Sequence, residues 1–213
     1  MTAVSWVFAA VTVACALTDW WATHAERPAV RRVSKPATLA ALIGVAVTLD
    51  PSVSPTIRTW MVVGLVLSLA GDIFLMLDEK WFVAGLGSFL LGHNAYVVGL
   101  QLAPTSVAFT LVGLAVVAAT MGTVGRQMIR RVARTHRDLL LPVIAYAVVI
   151  SAMVVSAFGT ADLWAIVGAS LFYVSDGTLA WNRFLDRLRR GPLVVMVTYH
   201  LGQFGLVAWL VTG

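Results

Sequence analysis

Apolar residues fill long unbroken runs of this chain, and polar residues gather in the short stretches between them. Eight runs of roughly 17–21 residues stand out, each long enough to cross a hydrocarbon core of about 30 Å as a helix. They fall at 3–21, 37–53, 59–77, 82–102, 106–125, 139–158, 163–181 and 193–211. The pattern predicts an all-α polytopic membrane protein, with eight transmembrane helices in one bundle and 1–213 as a single integral membrane domain. The second run is the least secure, because its clean apolar core stops at Leu49 and Pro51 and Pro55 follow.

The loops carry the charge. Arg27, Arg31, Arg32 and Lys35 lie between the first two runs, and Lys80 between the third and fourth. Arg126, Arg130, Arg131, Arg134 and Arg137 lie between the fifth and sixth, and Arg183, Arg187, Arg189 and Arg190 between the seventh and eighth. Of the fifteen basic residues only Arg58 falls on the opposite side. The positive-inside rule then makes the basic side cytoplasmic and puts both termini outside. One span more or fewer would scatter this asymmetry.

A weaker repetition runs through the pattern. Gly71-Asp72 in the third run and Ser175-Asp176 in the seventh are each followed by a Leu three residues after the Asp. The next run in each case holds a His and a Tyr: His93 and Tyr96, then Tyr199 and His200. Two four-helix halves of the same orientation, related by an axis along the membrane normal, would produce it.

Composition agrees with the pattern. The chain is 60% hydrophobic and 12% charged, with a mean hydropathy of +0.89, and no stretch is left for a soluble domain. The net charge of +5 sits in short loops, where it sets topology and attracts anionic headgroups, so no nucleic-acid partner is expected. The lone Cys15 excludes a disulfide framework, and the start Met1-Thr2-Ala3-Val4 lacks the basic region of a cleaved leader. Trp6, Trp20, Trp21, Trp60, Trp81 and Trp181 lie near run ends and read as interface anchors.

The candidate chemistry is the set of polar residues placed where lipid would be. An ionisable group at a span centre costs roughly 2.5–3.5 kcal/mol on insertion scales, so it normally faces a protein interior or a wet cavity. Asp72 and Asp176 lie at similar depths near the cytoplasmic ends of their runs. His93 is near the middle of its run, and Tyr199, His200 and Gln203 lie in the same half of the bundle. Helical spacing puts Phe89, His93 and Tyr96 on one face and Tyr199 and Gln203 on another. A lone intramembrane His or Tyr is more often an interhelical hydrogen-bond partner than a catalyst. Two acids at matched depth are less ordinary, because like charges in a low dielectric do not both stay ionised easily. Pairing with Lys35 or Arg183 would give them a purely structural role. Walker loops, zincin helices and nucleophile elbows are missing, and Ser175 is not in a Gly-x-Ser-x-Gly context. No metal or other cofactor is expected.

At these residues the chain resembles the YhhN family of membrane proteins, which includes animal and bacterial lysoplasmalogenases. The matching segments are Ser34-Lys35-Pro36, Gly71-Asp72-Ile73-Phe74-Leu75, and the series Phe82, Gly85, Phe89, His93 and Tyr96. Further along come Ser175-Asp176-Gly177-Thr178-Leu179-Ala180 with Arg183-Phe184, and Tyr199-His200-Leu201-Gly202-Gln203. The resemblance implies hydrolysis of the vinyl ether bond of a lysoplasmalogen, giving a fatty aldehyde and glycerophosphoethanolamine or glycerophosphocholine. It implies Asp72 and Asp176 as the catalytic pair. Lys35, His93, Tyr96, Ser175, Arg183, Tyr199, His200 and Gln203 become substrate-binding or orienting positions, with Lys35 and Arg183 at the mouth beside the phosphate. The expected partners are a lysophospholipid and the bilayer of a bacterial plasma membrane. A proton-coupled or lipid transporter and a non-catalytic lipid-binding protein also fit buried acids and repeated halves.

Overall fold

The computed structural model describes residues 2–213. The regular structure among them is helical throughout: α1 (Ala3–His24), α2 (Pro28–Thr48), α3 (Pro55–Met76), α4 (Phe82–Gln101), α5 (Val107–Thr120), α6 (Arg126–Thr135), α7 (Leu140–Gly159), α8 (Leu163–Phe184) and α9 (Gly191–Thr212). A π turn at Met121–Gly125 joins α5 and α6 into one continuous helix, Val107–Thr135, so the chain forms eight rods. Seven of them are long and apolar enough to cross a membrane; the eighth is α2.

Local signals set the helix ends. Thr2 caps α1 by accepting from the Ser5 amide, Ser54 caps α3 from the Ile57 amide with Pro55 at the first helical position, and Asp162 caps α8 from the Trp164 and Ala165 amides. The second helix departs from the apolar run. It covers Pro28–Thr48 rather than 37–53, so Arg31, Arg32 and Lys35 lie on the helix and not in a loop. Pro28 is preset for a first turn, and the chain turns extended at Leu49 (φ −71°, ψ 158°), two residues before Pro51. Arg126, Arg130, Arg131 and Arg134 are likewise helical, on α6. Charge ends an apolar run, but it does not end a helix.

Neighbours in sequence pack as neighbours in space. α1 lies on α2, α2 on α3 and α3 on α4, and α5, α7, α8 and α9 follow one another in the same way. The two series meet through α4 against α7 and through α9 against α1 and α2. Backbone contact closes the α8–α9 pair. A Cβ on Gly168 would stand 2.6 Å from the Leu206 nitrogen, and one on Gly205 would stand 2.6 Å from the Gly168 Cα. Small residues permit this approach where apolar side chains gain little by leaving lipid. α9 is the central rod, with Leu206, Trp209 and Leu210 buried, whereas α5 buries only Gly113 and leaves Val107, Leu111 and Val112 outward. Exposed apolar side chains thus form the belt that faces lipid.

Candidate active site

The α8–α9 and α3–α4 pairs bring polar side chains from four apolar rods toward one space. Asp72, in the last two turns of α3, is fully buried. Lys35 reaches it from α2, with Nζ 2.9 Å from Oδ1, and its own side chain is 7% exposed. This contact is an ion pair without an aligned hydrogen bond, since Oδ1 accepts none. From α9 the Tyr199 hydroxyl donates to Asp72 Oδ2 at 2.8 Å, and the Lys35 ammonium lies 5.9 Å from the centre of the Tyr199 ring.

Asp176, on α8, has different company. The Tyr146 hydroxyl of α7 donates to its Oδ2, and His93 Nε2 of α4 stands 3.6 Å from the same oxygen. No lysine or arginine pairs with Asp176 among the described residues, and its side chain is 12% exposed, toward the cavity. His93 is buried, and neither of its ring nitrogens has a hydrogen-bond partner among the described residues. Aromatic edges hold it: the Phe172 ring lies 4.6 Å away and the Tyr146 ring 5.3 Å, both T-shaped. The two carboxyl groups therefore differ in the one respect that separates acids in a low dielectric. One has a lysine ammonium for a partner, and the other a tyrosine hydroxyl and a histidine ring.

Both carboxyl groups line a single cavity of about 980 Å³ together with Lys35, Tyr146, Ser175 and Tyr199. Its walls are apolar, including Leu75, Phe89, Ile150 and Met196, and its open end is ringed by Arg31, Arg32, Arg187 and Arg189. Such a volume is at the upper end for a small amphiphile.

The remaining sequence candidates take distinct places. Tyr96 donates to Gln203 Oε1 at 2.6 Å, one layer below Tyr199, and neither lines the cavity. Ser175 borders the cavity but donates to the Val195 carbonyl at 3.0 Å, tying α8 to α9. His200 lies off the cavity, with Nδ1 accepting from the Trp20 indole at 3.0 Å. Arg183 pairs with Glu79 and covers the Phe82 ring at 4.6 Å. Lys35, expected either beside the phosphate or as a partner of one of the acids, is the buried counter-ion of Asp72 and lines the cavity. Sequence reasoning passed over Tyr146. Its signal was a single tyrosine near the basic end of an otherwise aliphatic run, which an interface tyrosine would also give.

The YhhN family model matches residues 30–210. Human lysoplasmalogenase TMEM86B is 32% identical over 141 residues, covering 65% of this chain and 58% of the human protein. The mouse TMEM86B lysoplasmalogenase is 30% identical over 70% of this chain and 62% of its own length. A lysoplasmalogenase of Mycobacterium tuberculosis is 34% identical over 60% of this chain and 51% of its own. The matches thus span between about half and three-fifths of these relatives. No solved structure matches the chain. The family match takes in every element that contributes to the cavity floor, from α2 to α9, and the chain belongs to the YhhN family.

Proposed function

We propose that the chain is a membrane-embedded hydrolase that cleaves the vinyl ether bond of a lysoplasmalogen. The observation that carries this reading is the pair of carboxyl groups, from α3 and α8, lining one cavity with unequal partners. The likeness to proteins named lysoplasmalogenase supplies the substrate class.

A vinyl ether is cleaved by protonating its β-carbon. The double-bond electrons form the new C–H bond, and the α-carbon becomes an oxocarbenium ion. That step needs one carboxyl that holds a proton and a negative charge near the developing cation. Asp72, beside Lys35, is the ionised member. Asp176, with neutral neighbours, is the proton donor, and two adjacent negative charges are avoided. Tyr146 occupies Asp176 Oδ2, which leaves Oδ1 to deliver the proton. The Asp176 carboxylate left behind then takes a proton from the water that adds to the α-carbon. The hemiacetal collapses to aldehyde and alcohol as its hydroxyl proton passes to the leaving oxygen. Asp176 ends as it began, and the overall change is vinyl ether plus water to aldehyde plus alcohol. The fatty chain lies against the apolar wall, and the polar end faces the arginine ring.

Aldehyde release from a lysoplasmalogen by the purified protein in detergent, with no gradient, tests the proposal. Asp176→Asn is expected to lower turnover by about 10²–10⁴-fold while the protein stays folded. Unimpaired hydrolysis by that variant would remove the proposed acid. Lipid flux in proteoliposomes without any product would favour a carrier.

A further inference from the structure

Both cations first placed beside a phosphate have other partners, Lys35 with Asp72 and Arg183 with Glu79. A second buried acid stands nearer the mouth. Asp19, on α1, is fully buried; its Oδ1 accepts from Ser34 at 3.0 Å, and its Oδ2 has no partner among the described residues. Arg31 Nε lies 3.9 Å from Oδ1, with the Arg31 side chain 34% exposed. Arg31 Nε is itself buried and has no hydrogen-bond partner among the described residues, so Asp19 holds the guanidinium by charge alone. Arg31 borders the main cavity and a neighbouring recess of about 410 Å³, and Arg189, from the segment between α8 and α9, borders both as well. Arg189 has no carboxylate within ion-pair distance among the described residues.

We infer that Arg31 and Arg189 form the seat for the phosphodiester of the bound amphiphile, with Asp19 as the positioning residue that aims Arg31. The assignment rests on the hydrolase reading for the identity of the lipid. Topology alone calls for exposed arginines and gives no reason to bury a carboxylate beneath one of them. A buried acid beside an arginine keeps its charge at one place in the fold, and a guanidinium fork matches two phosphate oxygens at once. The position fits as well: the seat lies at the polar end of a cavity whose walls are apolar and whose floor is the carboxyl pair.

Equilibrium binding to the purified full chain in detergent tests the seat apart from turnover. The probes are a saturated-ether lysophosphatidylethanolamine, which has no vinyl group to protonate, and the alkylglycerol of equal chain length. The native chain should prefer the phosphate-bearing lipid by about tenfold. R31Q and R189Q should each erase most of that preference and leave alkylglycerol binding unchanged. D19N should reduce it in part, and R31K should restore less than half of it. Preference unchanged in both glutamine variants overturns the seat. Should R31Q lose both ligands through misfolding, R189Q, which lies outside any helix, decides alone. Soluble glycerophosphoethanolamine should displace the lipid; inorganic phosphate displacing it equally well at the same concentration would overturn the diester assignment. Aldehyde release with an arginine-independent preference removes the seat and keeps the hydrolase. Arginine-dependent preference without aldehyde removes the hydrolase and keeps the seat.

Discussion

Lys35 and Tyr146 are unlike partners of two different acids, and the consequences of removing them differ. Lys35→Met would leave the Asp72 carboxylate buried without its cation. Breaking such a pair by deleting one partner costs about 3–5 kcal/mol, so thermal unfolding in detergent should shift well downward. Adding Asp72→Asn removes the orphaned charge, and the double variant should melt above Lys35→Met while both stay inactive. A double variant no more stable than the single one would mean that the pair contributes no electrostatic constraint. Tyr146→Phe keeps the ring that packs on His93 and removes only the hydroxyl on Asp176. Its expected effect is a fall in kcat of about tenfold with KM little changed, because the hydroxyl meets the acid and not the lipid. A change confined to KM would place Tyr146 in substrate binding instead.

At the scale of the helices, apolar runs marked out six rods well, ended the fifth ten residues early and misplaced the boundary of the one that matters most to the site. Hydropathy counts the charge of Arg31 and Lys35 as solvent-facing, whereas a helix carries such residues inward if partners wait there, as Asp19 and Asp72 do; Arg32, on the same helix, stays exposed. That Asp72 and Asp176 could meet was legible because helical rise is regular, and both line one cavity. Lys35 was named as a possible partner, but which acid it meets was not legible, nor was Tyr146, since these residues come from rods whose rotation depends on packing. That rotation is set partly by the α8–α9 contact. Gly168→Ala would drive a Cβ against the backbone of α9, which cannot yield as a side-chain tip can, and should cost about 1–3 kcal/mol while lowering hydrolysis. Gly87→Ala, which meets nothing within 4 Å, is the matched control and should be neutral in both. Equal stability of the two variants would mean that the α8–α9 crossing relaxes freely.

Across the whole molecule, Asp72 and Asp176 stand at the same step of two rows, Gly64-Ser68-Asp72 on α3 and Gly168-Phe172-Asp176 on α8, in two series of rods that pack in the same order. That order makes α2 the counterpart of α7 in its own series, and α7 is apolar enough to cross a membrane whereas α2 is not. We infer that α2 crosses nonetheless. Its 21 residues rise roughly 32 Å, the same as the apolar thickness. It runs antiparallel to α1 from end to end: the Thr2 hydroxyl donates to the Thr48 carbonyl at one end, and Ser34 donates to Asp19 toward the other. Its charges crowd the first turns, where the arginine ring opens, and the deepest of them is neutralised by Asp72. In a Cys15→Ala background, Ala25→Cys before α2 and Ser52→Cys after it should therefore report from opposite faces. With the arginine side cytoplasmic, Ser52→Cys should react with an impermeant maleimide on intact cells, and Ala25→Cys only after permeabilisation. Reaction of both from one face would leave seven crossings, and α2 would become a helix that enters and leaves by the same side. The Lys35–Asp72 pair would then be a seal over the cavity and no longer a strut within it.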